Sequence, residues 1–92
     1  MKKDLRRTPN HLRKYRRMNG FKQKEVAKIL GLNASRLSRW EKGRTMPSSF
    51  NLFRLSILYK TMADSLFMDL IRKLREEIKE KEKEFLDKNK MY

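Results

Sequence analysis

A three-residue corner limits how this chain can fold. Gly31-Leu32-Asn33 stands between two short apolar patterns, Val26-Ala27-Ile29-Leu30 before it and Leu37 with Trp40 after it. Glycine adopts left-handed backbone at no steric cost and so ends a helix. Asparagine begins the next one by offering its side-chain oxygen to an unpaired backbone N–H. The segment that follows, GLNASRLSRWEKG from Gly31 to Gly43, carries a buried-type stripe at Leu37 and Trp40. Around that stripe stand small, polar or cationic residues: Asn33, Ala34, Ser35, Arg36, Ser38 and Arg39.

Similar signals divide the rest of the chain. Thr8-Pro9 predicts an N-cap with proline at the first helical position, then a helix through HLRKYRRM with Leu12 and Tyr15 inward. Asn19-Gly20 stop it. A second helix is expected from Gln23 to Leu30, burying Val26, Ala27, Ile29 and Leu30, and a third from Ala34 to Lys42, closed by Gly43. Pro47 and Ser48-Ser49 open a fourth, which runs to Tyr59 and carries Phe50, Phe53, Ile57 and Leu58. Thr61 with Asp64 reads as the capping box of a fifth. No stretch alternates with period two, so strands are not expected. The fold class is all-α: five helices, the last extended into a charged C-terminal tail. By helical spacing Trp40, Phe50, Phe53 and Phe67 are core residues, not a stacking platform for single strands.

The tail has its own pattern. Phe67, Ile71, Leu74, Ile78 and Phe85 recur at heptad-like intervals, with Lys81 at the missing position. Opposite charges four apart support a solvated helix: Asp69 with Lys73, Glu77 with Lys81, Glu84 with Lys88. Three readings stay open: packing on the domain, pairing with a second copy, or binding a different protein.

Charge separates the two parts. Residues 1–61 hold 17 Lys and Arg against three acids, a net +14, whereas residues 62–92 hold eight of each, a net zero. A field of one sign on one module favours a polyanionic partner. The expected organisation is a basic arm at 1–8, a domain at 9–67 and a helical extension at 68–92. Cysteine is absent and His11 is the single histidine, which leaves no zinc ligand set and no nucleophile–base constellation; no cofactor, metal or small-molecule substrate is expected. The basic N-terminus is followed by no apolar segment, so it does not read as a secretory signal, and no apolar run is long enough to span a membrane. The basic helices lack a wide aromatic face, which argues against a membrane-surface binder.

A three-residue glycine turn between two helices is the geometry of a helix-turn-helix. FKQKEVAKILGLNASRLSRWEKGRTMP resembles the helix-turn-helix of the phage-repressor-like (XRE/Cro) family: Gln23 opens helix two, Ala27 is in its middle and Gly31 in the turn. Leu37 and Trp40 match the buried positions of helix three, followed by Glu41, Gly43 and Pro47; Leu12, Tyr15, Arg16 and Gly20 match helix one. The resemblance spans residues 9–67 and excludes the tail. It implies that Asn33, Ala34, Ser35 and Arg39 face base edges, with Arg36 beside them, and that Gln23 binds a phosphate. Arg13, Lys22, Lys42 and Arg44 are the further phosphate candidates. The resemblance also implies an ion pair from Arg16 to Glu41. Lys22 departs from the family, which has Ser or Thr as the cap there.

The expected function is a cytoplasmic, bacterial or phage-type regulator of transcription, a repressor that binds double-stranded DNA as a homodimer on a palindromic operator. Phe67, Ile71, Leu74, Ile78 and Phe85 are the candidate dimer or partner surface. The alternative is an antitoxin that binds DNA and also a partner toxin through its C-terminal helix.

Overall fold

The computed structural model describes residues 7–89, so the first six residues of the basic arm and the last three of the tail lie outside the described residues. All regular structure described is helical: α1 Leu12–Met18, α2 Gln23–Leu30, α3 Ala34–Glu41, α4 Ser49–Leu58, α5 Ala63–Leu66 and α6 Met68–Asn89. Leu12, Val26, Leu30, Leu37, Trp40, Leu55, Tyr59, Leu66 and Phe67 form one core drawn from α1 through the α5 end. None of the described helices is long and apolar enough to cross a membrane.

The first helix starts at Leu12, not at Pro9. Asn10 is the reason. Its Oδ1 accepts from the Leu12 N–H at 3.0 Å, and its Nδ2 donates to the Trp40 carbonyl at 2.9 Å. These bonds hold residues 8–11 against the end of α3, and the His11 N–H that a Thr8 cap would use donates instead to the Leu66 carbonyl at 2.9 Å. Nearby, the Thr8 N–H donates to the Gly43 carbonyl at 2.9 Å. At α2 the Lys22 ammonium cannot accept a cap bond, but Glu25 supplies the reciprocal half of a capping box, accepting from the Lys22 N–H at 2.8 Å.

The fourth helix turns its other side inward. Asn51, Leu55 and Tyr59 are buried, whereas Phe50, Phe53 and Ile57, expected in or toward the core, face solvent. Both sides of α4 are apolar, so periodicity does not choose between them. Polar anchors do: Ser48 Oγ caps Asn51, and the Arg54 guanidinium donates to Asn51 Oδ1 and the Leu30 carbonyl. Ile29 is likewise exposed, because α2 buries the narrower face of Val26, Ala27 and Leu30.

The expected fifth helix is two helices. Lys60 takes left-handed backbone, φ 55°, and ends α4 in the way a glycine would. Met62, not Thr61, precedes α5, so the expected capping box with Asp64 does not form. Phe67 then breaks the helix with φ −131° and sinks into the core. It therefore does not belong to the exposed stripe of the tail. Helix α6 runs 22 residues from Met68 with no buried residue. Its first turn is tied down by Asp69, whose carboxylate lies 3.3 Å from Arg72 Nη1 and 3.5 Å from His11 Nε2; the expected partner was Lys73.

Candidate nucleic-acid interface

Helix α2 ends at Gly31, whose left-handed backbone (φ 68°) turns the chain within three residues into α3. Asn33 caps α3 by accepting from the Arg36 N–H at 2.9 Å, and Ser35 Oγ donates to the same Oδ1 at 2.9 Å. The Asn33 oxygen, assigned from the sequence to base reading, is therefore engaged in starting the helix. Its Nδ2 group takes no part in either bond.

Leu37 and Trp40 are buried and fix the roll of α3. At about 100° per residue, Ser35 lies opposite that stripe, Ser38 and Arg39 flank the outer face, and Ala34 and Arg36 sit at its margins. Ser35, Arg36 and Arg39 are exposed and Ala34 half-exposed. Arg36 has a definite place: its guanidinium lies over the Trp40 ring, 5.3 Å from the centroid. A cation against an indole face is held by the ring quadrupole. Arg39 stands free of that contact in the last turn, followed by exposed Lys42 and Arg44.

Behind this surface Glu41 joins three helices. Arg16 Nε donates to Glu41 Oε2 at 2.6 Å and Nη2 to Oε1 at 3.0 Å, a bidentate pair between α1 and α3. Gln23 Nε2 donates to the same Oε1 at 2.9 Å, and Arg13 Nε lies 3.6 Å from it. The Glu41 side chain exposes no surface, and Arg16 is buried. Burial alone would raise the Glu41 pKa, but the hydrogen bonds from Arg16 and Gln23 and the charges of Arg16 and Arg13 together hold it below the ordinary carboxylate range. The hydrogen bond from Arg16 to the carboxylate outweighs its own burial, so the guanidinium pKa is raised. Two residues assigned to phosphate from the sequence, Gln23 and Arg13, thus lean on an internal carboxylate. Lys22 remains exposed at the start of α2.

Asn10 was not singled out from the sequence, yet it fixes the chain beside the end of α3 through the Trp40 carbonyl. Its partner lies 30 residues away, so no local pattern could announce it.

The helix-turn-helix family profile matches residues 12–62, more than half of the chain. The chain belongs to the phage-repressor-like (XRE) helix-turn-helix family. The matched span runs from the first residue of α1 to the residue before α5, so it takes in both helices of the corner and stops short of α6. No curated protein and no solved structure matches the chain. As an XRE-type helix-turn-helix protein it is a DNA-binding regulator of transcription.

Proposed function

We propose that this helix-turn-helix protein is a repressor that binds a palindromic operator as a homodimer, reading each half-site with α3. The observation that carries the reading is the construction of α3. Leu37, Trp40 and Glu41 lock it to the domain, while its outer side offers small residues at the start and Arg39 in the last turn. Small side chains allow close approach of backbone to base pairs, and the Ala34 methyl can meet a thymine methyl. Arg39 can bind guanine O6 and N7 bidentately, worth about 1–3 kcal/mol of discrimination. Arg13, Gln23, Lys22, Lys42 and Arg44 contribute the phosphate contacts, Arg13 and Gln23 with the N–H groups that Glu41 leaves unused. One short helix reads few base pairs, so two half-sites roughly 34–36 Å apart on one DNA face fit the reading.

Binding to selected and random duplexes across a salt series tests it. Arg39→Ala is expected to lose preference for the selected sequence, while Arg13→Ala weakens all duplexes alike and flattens the salt slope. Indistinguishable behaviour of the two variants would refute the assignment of α3. The antitoxin reading is favoured by one observation, the absence of any buried residue on α6. Co-purification of a small protein lost on truncating α6 would support it.

A further inference from the structure

Among the described residues two apolar helix faces are left largely uncovered, one of them touched only by the Arg54 guanidinium beside Phe50. On α4, Phe50, Phe53 and Ile57 are 70, 56 and 76 % exposed. On α6, Leu74 and Ile78 are exposed and Ile71 half-exposed, and they form the apolar half of a shallow recess whose other side is Arg75, Lys79 and Glu82. Apolar residues on both sides of a helix mark one covered on both sides, and α4 has its inner side already in the core. Clustered exposed phenylalanine and isoleucine mark an interaction surface. A 22-residue helix with no buried residue gains little from its own propensity and needs packing to persist.

The two faces match. Residues 50, 53 and 57 and residues 71, 74 and 78 share the spacing i, i+3, i+7, which makes two stripes of equal length, roughly 10 Å at 1.5 Å per residue. Equal stripes of this kind interlock at a shallow crossing angle. Charge points the same way. Between residues 45 and 59 the only charged side chain is Arg54, held by Asn51 and the Leu30 carbonyl, with its guanidinium 5.3 Å from the Phe50 ring centre. That makes α4 the least repulsive approach to a module of net charge +14, and the tail from residue 62, which includes α6, carries net zero.

We propose that a second copy of this chain covers both faces, the α6 stripe of each copy lying against the α4 face of the other. Pairing α6 with α6 would leave Phe50 and Ile57 in water, and pairing α4 with α4 would strand α6. A two-fold axis that brings stripe to face satisfies both at once, since in such an interface residue i meets j and j meets i. The proposal rests on the homodimer of the preceding reading and names its surface.

The chain has no cysteine, so single cysteines report contacts without background. The full-length protein is used without DNA, so failure here is distinct from failure of DNA reading. Phe53→Cys and Leu74→Cys proteins, mixed and oxidised, are expected to give a cross-linked heterodimer far in excess of either variant alone. Sedimentation equilibrium of the unmodified protein is expected to show a dimer. Phe53→Asp, with helical content retained, is expected to weaken it by about thirtyfold or more, the loss of a central contact. A cross-link formed mainly by Leu74→Cys alone would overturn the proposal in favour of α6 pairing. One formed mainly by Phe53→Cys alone would do so in favour of α4 pairing. A dimer indifferent to Phe53→Asp would overturn this surface and leave the homodimer standing, whereas a monomer by sedimentation would overturn the homodimer and the surface with it.

Discussion

Replacing Glu41 by glutamine isolates what holds α3 in position. The substitution keeps the shape and one acceptor oxygen but removes the charge that faces Arg16 at 2.6 and 3.0 Å. Arg16 is buried, so its cation is left without a counter-charge. Removing one partner of a buried pair costs about 3–5 kcal/mol; the retained amide oxygen, still an acceptor for Arg16 or Gln23, places Glu41→Gln near the lower end. At roughly 0.05–0.15 kcal/mol per residue, a chain of this size has about 5–14 kcal/mol to lose. Urea unfolding followed by the fluorescence of Trp40, the sole tryptophan and the residue beside Glu41, measures the loss. Acid provides the second arm. The native carboxylate is held below its ordinary range, so the ionised form stabilises the fold above the unfolded value of about 4.3, and that contribution disappears as pH falls through the depressed native value. The stability gap between wild type and Glu41→Gln is therefore widest near neutrality, begins to shrink as pH falls below about 4.3, and closes only through the depressed native value. A loss under about 1 kcal/mol at neutrality, the range of an exposed pair, would refute the reasoning, as would a gap unchanged down to about pH 3.

Other substitutions test other joints. Gly43→Ala places a Cβ 2.3 Å from the Thr8 carbonyl oxygen on backbone of φ 76°, whereas Gly20→Ala has similar backbone, φ 77°, and open space. Both lose the left-handed preference, about 1–2 kcal/mol. Gly43→Ala is expected to cost a further ~1 kcal/mol as the bond from the Thr8 N–H breaks, and equal denaturation midpoints would count against this contact. Lys60→Gly removes left-handed strain at φ 55° and is expected to stabilise by about 0.5–1 kcal/mol after the chain-entropy cost, read as a raised Tm. The Tyr59 hydroxyl is buried with no hydrogen-bond partner among the described residues. Tyr59→Phe is accordingly expected to be neutral or stabilising by about 1 kcal/mol in thermal unfolding, and a clear loss would reveal an unrecognised acceptor.

The corner between α2 and α3 was legible because its signals are local. Gly31 and Asn33 act on their own backbone and that of the next three residues, and both sit where the structure uses them. The start of α1 was not legible, since Asn10 works through the Trp40 carbonyl. The roll of α4 was hidden for a different reason. Apolar residues on both sides make its amphipathicity weak, and the deciding contact, Arg54 to the Leu30 carbonyl, joins separate helices. Phe67 is read by spacing both as core and as the first residue of the tail stripe; it is core, and a heptad-like interval says nothing of the backbone break that separates it from the stripe. At the candidate site the pairing of Arg36 with Trp40 was in reach, being four residues apart on one helix. The sharing of Glu41 by Gln23 and Arg13 was not, because neither residue stands at a fixed interval from residue 41 in any pattern.

The shared carboxylate bears on how binding energy is divided. Each phosphate neutralised by a free cation contributes about 0.9 to the salt slope on B-form DNA. Arg13 is not wholly free, because Glu41 Oε1 lies 3.6 Å from its Nε. A phosphate approaching Arg13 meets a cation already partly compensated and gains less than it would from exposed Lys42 or Arg44. Arg16 contributes nothing to the slope while its guanidinium is committed inside. Of the arginines on α3, Arg36 has to leave the Trp40 ring before it reaches outward, at a cost of about 0.5–1 kcal/mol. Arg39 carries no such commitment. Under the proposed reading, discrimination between sequences on α3 is expected to fall mainly to Arg39 and the small residues before it, and the bulk of the affinity to exposed cations such as Lys42 and Arg44.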